Sequence, residues 1–220
     1  MPVPAPSGRA DAAAEAQRPP RLSVRGLKTH TATVERLDVA AGEIVALTGP
    51  SGSGKSLILR AIADLDPAPG TVLLDGTDRN AMPAPDWRRK VGYLAAETGW
   101  WAERVGAHFA DRAATAPLVA RLGFDDGVWD WEIARLSTGE KQRLGFARLL
   151  AGAPQVLLLD EPTGALDPEA TTSVEALIEE RLADGVAIIL VTHDADQAAR
   201  LARRHVTIQG GRVADAGGTP

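Results

Sequence analysis

One octapeptide constrains the fold of this 220-residue chain more than any other feature. Gly49-Pro50-Ser51-Gly52-Ser53-Gly54-Lys55-Ser56 fills the pattern GxxxxGK[ST]. It follows Glu43-Ile-Val-Ala-Leu-Thr48, a short apolar run that reads as a buried strand, and it precedes Leu57-Ile-Leu-Arg-Ala-Ile-Ala63, which has helical spacing. Strand, glycine loop and helix in that order are the context a phosphate-binding loop requires. The glycines let the backbone wrap around phosphate oxygens with several N–H groups pointing inward. The new helix adds its N-terminal dipole at the same spot. In such a loop Lys55 reaches the β- and γ-phosphates and the Ser56 hydroxyl ligates Mg²⁺.

A second run, Gln155-Val-Leu-Leu-Leu-Asp160-Glu161, describes a central parallel strand whose carboxyl end carries two acids. Asp160 suits the outer shell of a Mg²⁺ ion. Glu161, one residue further, stands where a base orients a water attacking the γ-phosphate.

The rest of the chain supplies a consistent frame. Leu22-Ser-Val-Arg25 and Thr33-Val-Glu-Arg-Leu-Asp-Val39 alternate like antiparallel strands, and Ala41-Gly42 turns the chain into the phosphate-loop strand. Thr71-Val-Leu-Leu-Asp75 reads as another strand with a turn at Gly76. Residues from about 98 to 152 are predicted to be helical. Beyond Asp160 the pattern alternates: a helix from Pro168, which suits a first turn, a strand over Val186 to Thr192, a helix from Asp194 and a strand over Val206 to Gln209. The predicted fold class is α/β, a parallel core with an antiparallel β flank and a helical insertion subdomain.

Composition bounds the function. Residues 1–20, mostly Pro and Ala with Gly, Arg and scattered acids, are predicted to form a disordered extension without the apolar core of a secretory signal. Residues 21–220 are predicted to be one domain. No apolar stretch is long enough to span a bilayer, so a membrane role must run through a partner. A net charge of −5 gives no general attraction to nucleic acid, and none is expected as a partner. The absence of cysteine excludes disulfides and thiol catalysis.

Further motifs give the chain a resemblance to the ATP-binding cassette (ABC) family over about residues 20 to 215. Leu136-Ser137-Thr138-Gly139-Glu140, followed by Lys141-Gln142-Arg143, resembles the family's LSGGQ signature, with departures at Thr138 and Glu140. Gly164-Ala165-Leu166-Asp167 resembles its D-loop, and Val191-Thr192-His193-Asp194 its switch histidine after a strand. The resemblance implies a P-loop NTPase with a RecA-like core, ATP and Mg²⁺ as ligands, and two cassettes that close head to tail. Each ATP then lies between one copy's phosphate loop (Gly49 to Leu57) and the other's Ser137, Gly139 and Glu140. It implies that His193 contacts the γ-phosphate beside Glu161 and that Asp167 bridges the subunits. Ser137 is a natural N-cap for the helix behind it, and an anion at that helix start is favoured.

The resemblance further implies an ATPase subunit that energises a transmembrane permease from the cytoplasmic face of the membrane, as a homodimer or heterodimer of cassettes. Two alternatives are a soluble ABC ATPase working on DNA, ribosomes or an assembly scaffold, and an ATP-binding switch that hydrolyses weakly. Two departures bear on detail. Ala95-Ala96 stand where the family's Q-loop usually ends Pro-Gln, and Glu97 or Thr98 is the candidate replacement. No Phe, Tyr or Trp precedes Trp87 to stack on adenine, and His30 is the nearest candidate ring. His108 and His205 are read as surface or packing residues. Trp87, Trp100, Trp101, Trp129 and Trp131 are read together as part of the insertion, with Trp100 and Trp101 as candidate anchors for the permease.

Overall fold

The computed structural model describes residues 20–215, so all but the last residue of the predicted N-terminal extension lies outside the described residues. Within them the chain forms a ten-stranded sheet in the order β5-β4-β1-β2-β10-β9-β3-β8-β7-β6. Five strands run parallel: β9 (Arg204–Gln209), β3 (Ile44–Thr48), β8 (Ala187–Val191), β7 (Val156–Asp160) and β6 (Val91–Leu94). The flank is mostly antiparallel, with β1 (Leu22–Lys28) between β2 (Thr33–Val39) and β4 (Thr71–Leu74), β5 (Thr77–Asp78) outside β4, and β10 (Arg212–Asp215) antiparallel to β9 and joined to β2 by the parallel pair Arg212 and Thr33. The mixed α/β architecture predicted above is the one observed.

The parallel strands are buried on both faces, which is why they read as unbroken apolar runs. Successive side chains point to opposite faces. Val156 and Leu158 enter one core with α1 (Lys55–Ile62), while Leu157 and Leu159 enter the other with α4 (Thr138–Ala151) and α5 (Pro168–Ala183). The same parity puts Asp160 on the α1 face, at the carboxyl end of β7.

Two predictions need correction. Residues 98–152 hold two α-helices, α3 (Arg112–Arg121) and α4, but much of the remainder is 3-10 turn and irregular chain, including 105–108, 126–130 and 133–135. That stretch packs by ring contacts instead of a helical stripe, with Phe109 edge-on to Trp129 at 5.2 Å and Phe124 edge-on to Trp131 at 6.1 Å. Trp87 does not belong to the insertion. It sits in α2 (Ala84–Lys90), fully buried in the α1 core, and its indole N–H donates to the Ile62 carbonyl at 2.9 Å. Deleting a core side chain of this size typically costs about 3–5 kcal/mol.

Candidate functional site

The phosphate loop joins β3 to α1, and its glycines are required by shape. Gly49, Gly52 and Gly54 have φ of 146°, 75° and 98°, a region that disfavours side chains. A Cβ on Gly54 would stand 2.1 Å from the Thr31 hydroxyl, so the loop also needs the space. Gly54 is the N-cap of α1, and no side chain caps the helix. Its first N–H groups therefore lack the partners that later turns have.

Lys55, the first residue of α1, is buried, and its Nζ donates to the carbonyls of Gly49 at 2.8 Å and Pro50 at 3.0 Å. Ser51, Gly52, Gly54, Lys55, Ser56 and Leu57 line a cavity of about 300 Å³. Across it stand Asp160, Glu161 and His193, brought from β7 and from the end of β8 (with Val191 and Ala96 between). Gly49, Pro50 and Ser53 are not among its lining residues. The expected catalytic and metal residues thus converge on one cavity.

Glu161 leaves the strand with φ of 50°, a left-handed conformation that costs a non-glycine residue about 1 kcal/mol or more. Its Oε2 accepts from the His193 backbone N–H at 3.2 Å, while the His193 ring Nε2 is 3.6 Å from Oε1, outside hydrogen-bond reach. Oε1 is buried without a hydrogen-bond partner. Burial pushes the Glu161 carboxyl above the usual carboxylate range, against the opposing pull of the His193 N–H and ring.

Asp160 is almost fully buried. The Tyr93 hydroxyl, on neighbouring β6, donates to its Oδ2 at 3.1 Å, and burial followed by the charge of Asp160 raises the Tyr93 phenol well above its ordinary range, so it remains a donor. Hard oxygen donors at Ser56 and Asp160, with the orphaned Glu161 oxygen beside them, fit Mg²⁺. Among the described residues no cluster of His, Cys, Asp or Glu could hold a metal alone.

The signature lies elsewhere. Ser137 caps α4 in a capping box: its hydroxyl accepts from the Glu140 N–H at 3.2 Å, and Glu140 Oε2 accepts from both the N–H and the hydroxyl of Ser137 at 2.8 Å. These bonds hold the Glu140 carboxyl below the usual carboxylate range. Gly139 packs against the D-loop of its own chain, where a Cβ would meet the Ala165 carbonyl at 2.8 Å. Neither Ser137, Gly139 nor Glu140 lines the Lys55 cavity. Asp167 is exposed, and its Oδ1 caps α5 by accepting from the Ala170 N–H at 2.8 Å.

The candidate replacements for the Q-loop glutamine do not reach the site. Thr98 spends its hydroxyl on the Lys141 carbonyl at 3.2 Å and on the Trp100 indole N–H at 3.0 Å, and Glu97 is exposed and does not line the cavity that Ala96 borders. His30 is exposed and borders a separate cavity of about 440 Å³ that shares Leu57 with the phosphate site. His108 is a packing residue, buried edge-on to Trp100 and Trp101 at 4.7 and 4.4 Å.

Sequence reasoning missed Tyr93 and Gln142. Gln142 is buried in α4, and its Nε2 donates to the carbonyls of Ala95 at 3.3 Å and Glu161 at 3.5 Å. A signal existed for Gln142, a polar residue on the stripe of Phe146 and Leu150. Tyr93 gave none, because its role depends on β6 lying beside β7.

Comparison with known proteins agrees with this geometry. The ABC transporter family pattern matches residues 34–164. Protein STAR1 of Oryza sativa subsp. japonica is 37% identical over 228 aligned positions, covering 94% of this chain and 66% of that protein. The aliphatic sulfonates import ATP-binding protein SsuB of Cupriavidus necator is 40% identical over 187 residues, covering 81% of this chain and 61% of its own length. The chain thus spans just under two thirds of these relatives. A solved ATP-binding subunit of an ABC transporter superimposes with a TM-score of 0.76 at 25% identity, covering 89% of this chain and 90% of the other. This chain belongs to the ABC transporter family.

Proposed function

We propose that this chain is the ATP-hydrolysing subunit of an ABC transport system, acting as one of two cassettes that close head to tail on ATP. One observation carries the reading. Lys55, Ser56, Asp160, Glu161 and His193 share one cavity, whereas the signature at the start of α4 borders another. A γ-phosphate at Lys55 meets Ser137 and Gly139 only if a second copy supplies them.

In this arrangement the loop N–H groups and Lys55 hold the β- and γ-phosphates. Ser56 and, behind it, Asp160 would hold Mg²⁺, which would supply charge neutralisation to the phosphates. Glu161 Oε1 accepts a proton from the attacking water, and the His193 N–H keeps the carboxylate aimed into the cavity. Tyr93 fixes Asp160 from behind. Tyr93→Phe is expected to raise the Mg²⁺ concentration needed for half-maximal metal-dependent ATP binding roughly tenfold, a typical cost of losing an outer-shell partner. Titrating Mg²⁺ against a fluorescent ATP analogue checks this, with metal-free nucleotide affinity unchanged.

Among the described residues no helix is long and apolar enough to cross a membrane. The import ATP-binding proteins that this chain resembles support a reading in which it works with a separate transmembrane subunit from the cytoplasmic face. The relatives whose names specify import favour an importer. Docking falls to Trp101, which is 73% exposed. Its ring is held in place by the Arg148 guanidinium at 4.7 Å from the centroid and by His108, and a fixed exposed aromatic is a good anchor. Trp100 is half-buried against the same His108 and Arg148 and belongs to the supporting layer.

Affinity capture of the Glu161→Gln protein with ATP, from detergent-extracted membranes of its host, tests the whole reading. Co-purification of a stoichiometric polytopic membrane protein is expected. Trp101→Ala should reduce that yield at least fivefold while the isolated chain still dimerises on ATP. Recovery of soluble partners alone would overturn the transport reading in favour of a soluble ATPase.

A further inference from the structure

A cavity of about 360 Å³ opens beside the start of α4, walled by Trp131, Arg104, Arg135 and Glu140 together with acids at Asp130 and Glu132. It shares no residue with the phosphate cavity. Trp131 is 37% exposed, one of three large apolar side chains so placed among the described residues. Its position is fixed from behind. The ring meets Phe124 edge-on at 6.1 Å, and Phe124 carries the Arg143 guanidinium 4.5 Å from its centroid. The Trp131 carbonyl accepts from the Val105 N–H at 3.0 Å, and its own N–H donates to the Val128 carbonyl at 3.1 Å. An aromatic face already held in place loses little freedom when a ligand stacks on it.

The lining decides the ligand class. Two arginines face three carboxylates, so the cavity is not an anion site, and a part-exposed indole among polar groups suits a neutral, flat, polar heterocycle. Glu140 accepts both Ser137 bonds on Oε2, leaving Oε1 without a hydrogen bond inside the chain. A carboxylate oxygen of that kind accepts from a sugar hydroxyl. On the nucleotide's own side the chain offers no Phe, Tyr or Trp before Trp87.

We propose that this cavity receives the nucleoside of the ATP held at Lys55 of the partner subunit, with the base stacked on Trp131 and the ribose beside Glu140. The inference rests on the head-to-tail reading given above. Base recognition is then supplied across the dimer, which ties closure to a nucleotide and not merely to a polyphosphate. Stacking tolerates different bases because every base has a π face, so purine nucleotides are expected to work alike.

The test uses the full chain carrying Glu161→Gln and follows ATP-driven dimerisation by light scattering. Adding Trp131→Ala is expected to raise the half-maximal ATP concentration about tenfold, within the range of one lost base stack. Trp131→Phe should stay within about threefold of the parent, since a ring remains. Monomer affinity for ATP, measured below the dimerisation concentration, should not change in either variant, which also reports that both fold. Inorganic tripolyphosphate should drive dimerisation of parent and Trp131→Ala equally. A Trp131→Ala midpoint within twofold of the parent, or an equal loss with tripolyphosphate, overturns the base site and leaves the head-to-tail reading standing. Failure of the parent to dimerise on ATP overturns both.

Discussion

Glu161→Gln is expected to leave ATP binding intact, to cut hydrolysis by about 10²–10⁴-fold and to trap the ATP-bound dimer. The size follows from what a positioned general base contributes. Glutamine has the same shape, and its carbonyl oxygen can keep the 3.2 Å bond from the His193 N–H, so the loop geometry survives. What disappears is the buried, unpartnered Oε1, the atom available for a proton. The pH profile separates loss of a base from general damage. Burial raises the Glu161 pKa above the ordinary carboxylate value. The base is therefore lost by protonation at a higher pH than for an exposed glutamate, and wild-type turnover should fall as pH drops through that raised value. The residual turnover of the variant should lack this acidic limb. Phosphate release measured across pH for both proteins checks it. Hydrolysis reduced less than tenfold would instead assign the base elsewhere.

The parts of this site legible in the sequence are those built by contiguous residues. Strand, glycine loop and helix are consecutive from Ile44 to Ile62, so the phosphate loop and Lys55 could be placed without tertiary knowledge. The start of α4 was legible for the same reason, since a capping box needs only Ser137 and Glu140, three residues apart. Contacts between strands were not. Tyr93 reaches Asp160 because Tyr93 pairs in register with Leu158, two residues before the acid on the same face of β7. Nothing in either strand alone specifies that neighbour. The tryptophan-rich stretch failed differently. Its rings pack on Phe109, Phe124, His108 and Arg148, contacts between residues that local sequence does not bring together. The stretch expected to be helical is therefore helical only in α3 and α4, with 3-10 turns between them.

Lys55→Met is expected to weaken binding of MgATP by about 100-fold while leaving the fold intact. Lys55 is 7% exposed, so its aliphatic stem is packed, and methionine preserves most of that packing. The ammonium donates to the Gly49 and Pro50 carbonyls at 2.8 and 3.0 Å. Each such bond contributes a net of about 1 kcal/mol, so the protein without nucleotide should lose at most about 2 kcal/mol. Toward a triphosphate the stakes are larger, because hydrogen bonds to charged groups contribute roughly 1.5–3 kcal/mol each and Lys55 can reach two phosphates. Thermal unfolding with and without MgATP separates the two effects. At an ATP concentration about 100 times the wild-type Kd, binding stabilises the wild type by about 2.7 kcal/mol. The variant, then near its own Kd, gains only about 0.4 kcal/mol. For a domain of this size about 1 kcal/mol moves Tm by about 2–4 °C. Nucleotide should therefore raise the wild-type Tm by about 5–10 °C and the variant's by about 1 °C. Equal shifts in the two proteins would mean that the ATP holding the fold together is not the one at this loop.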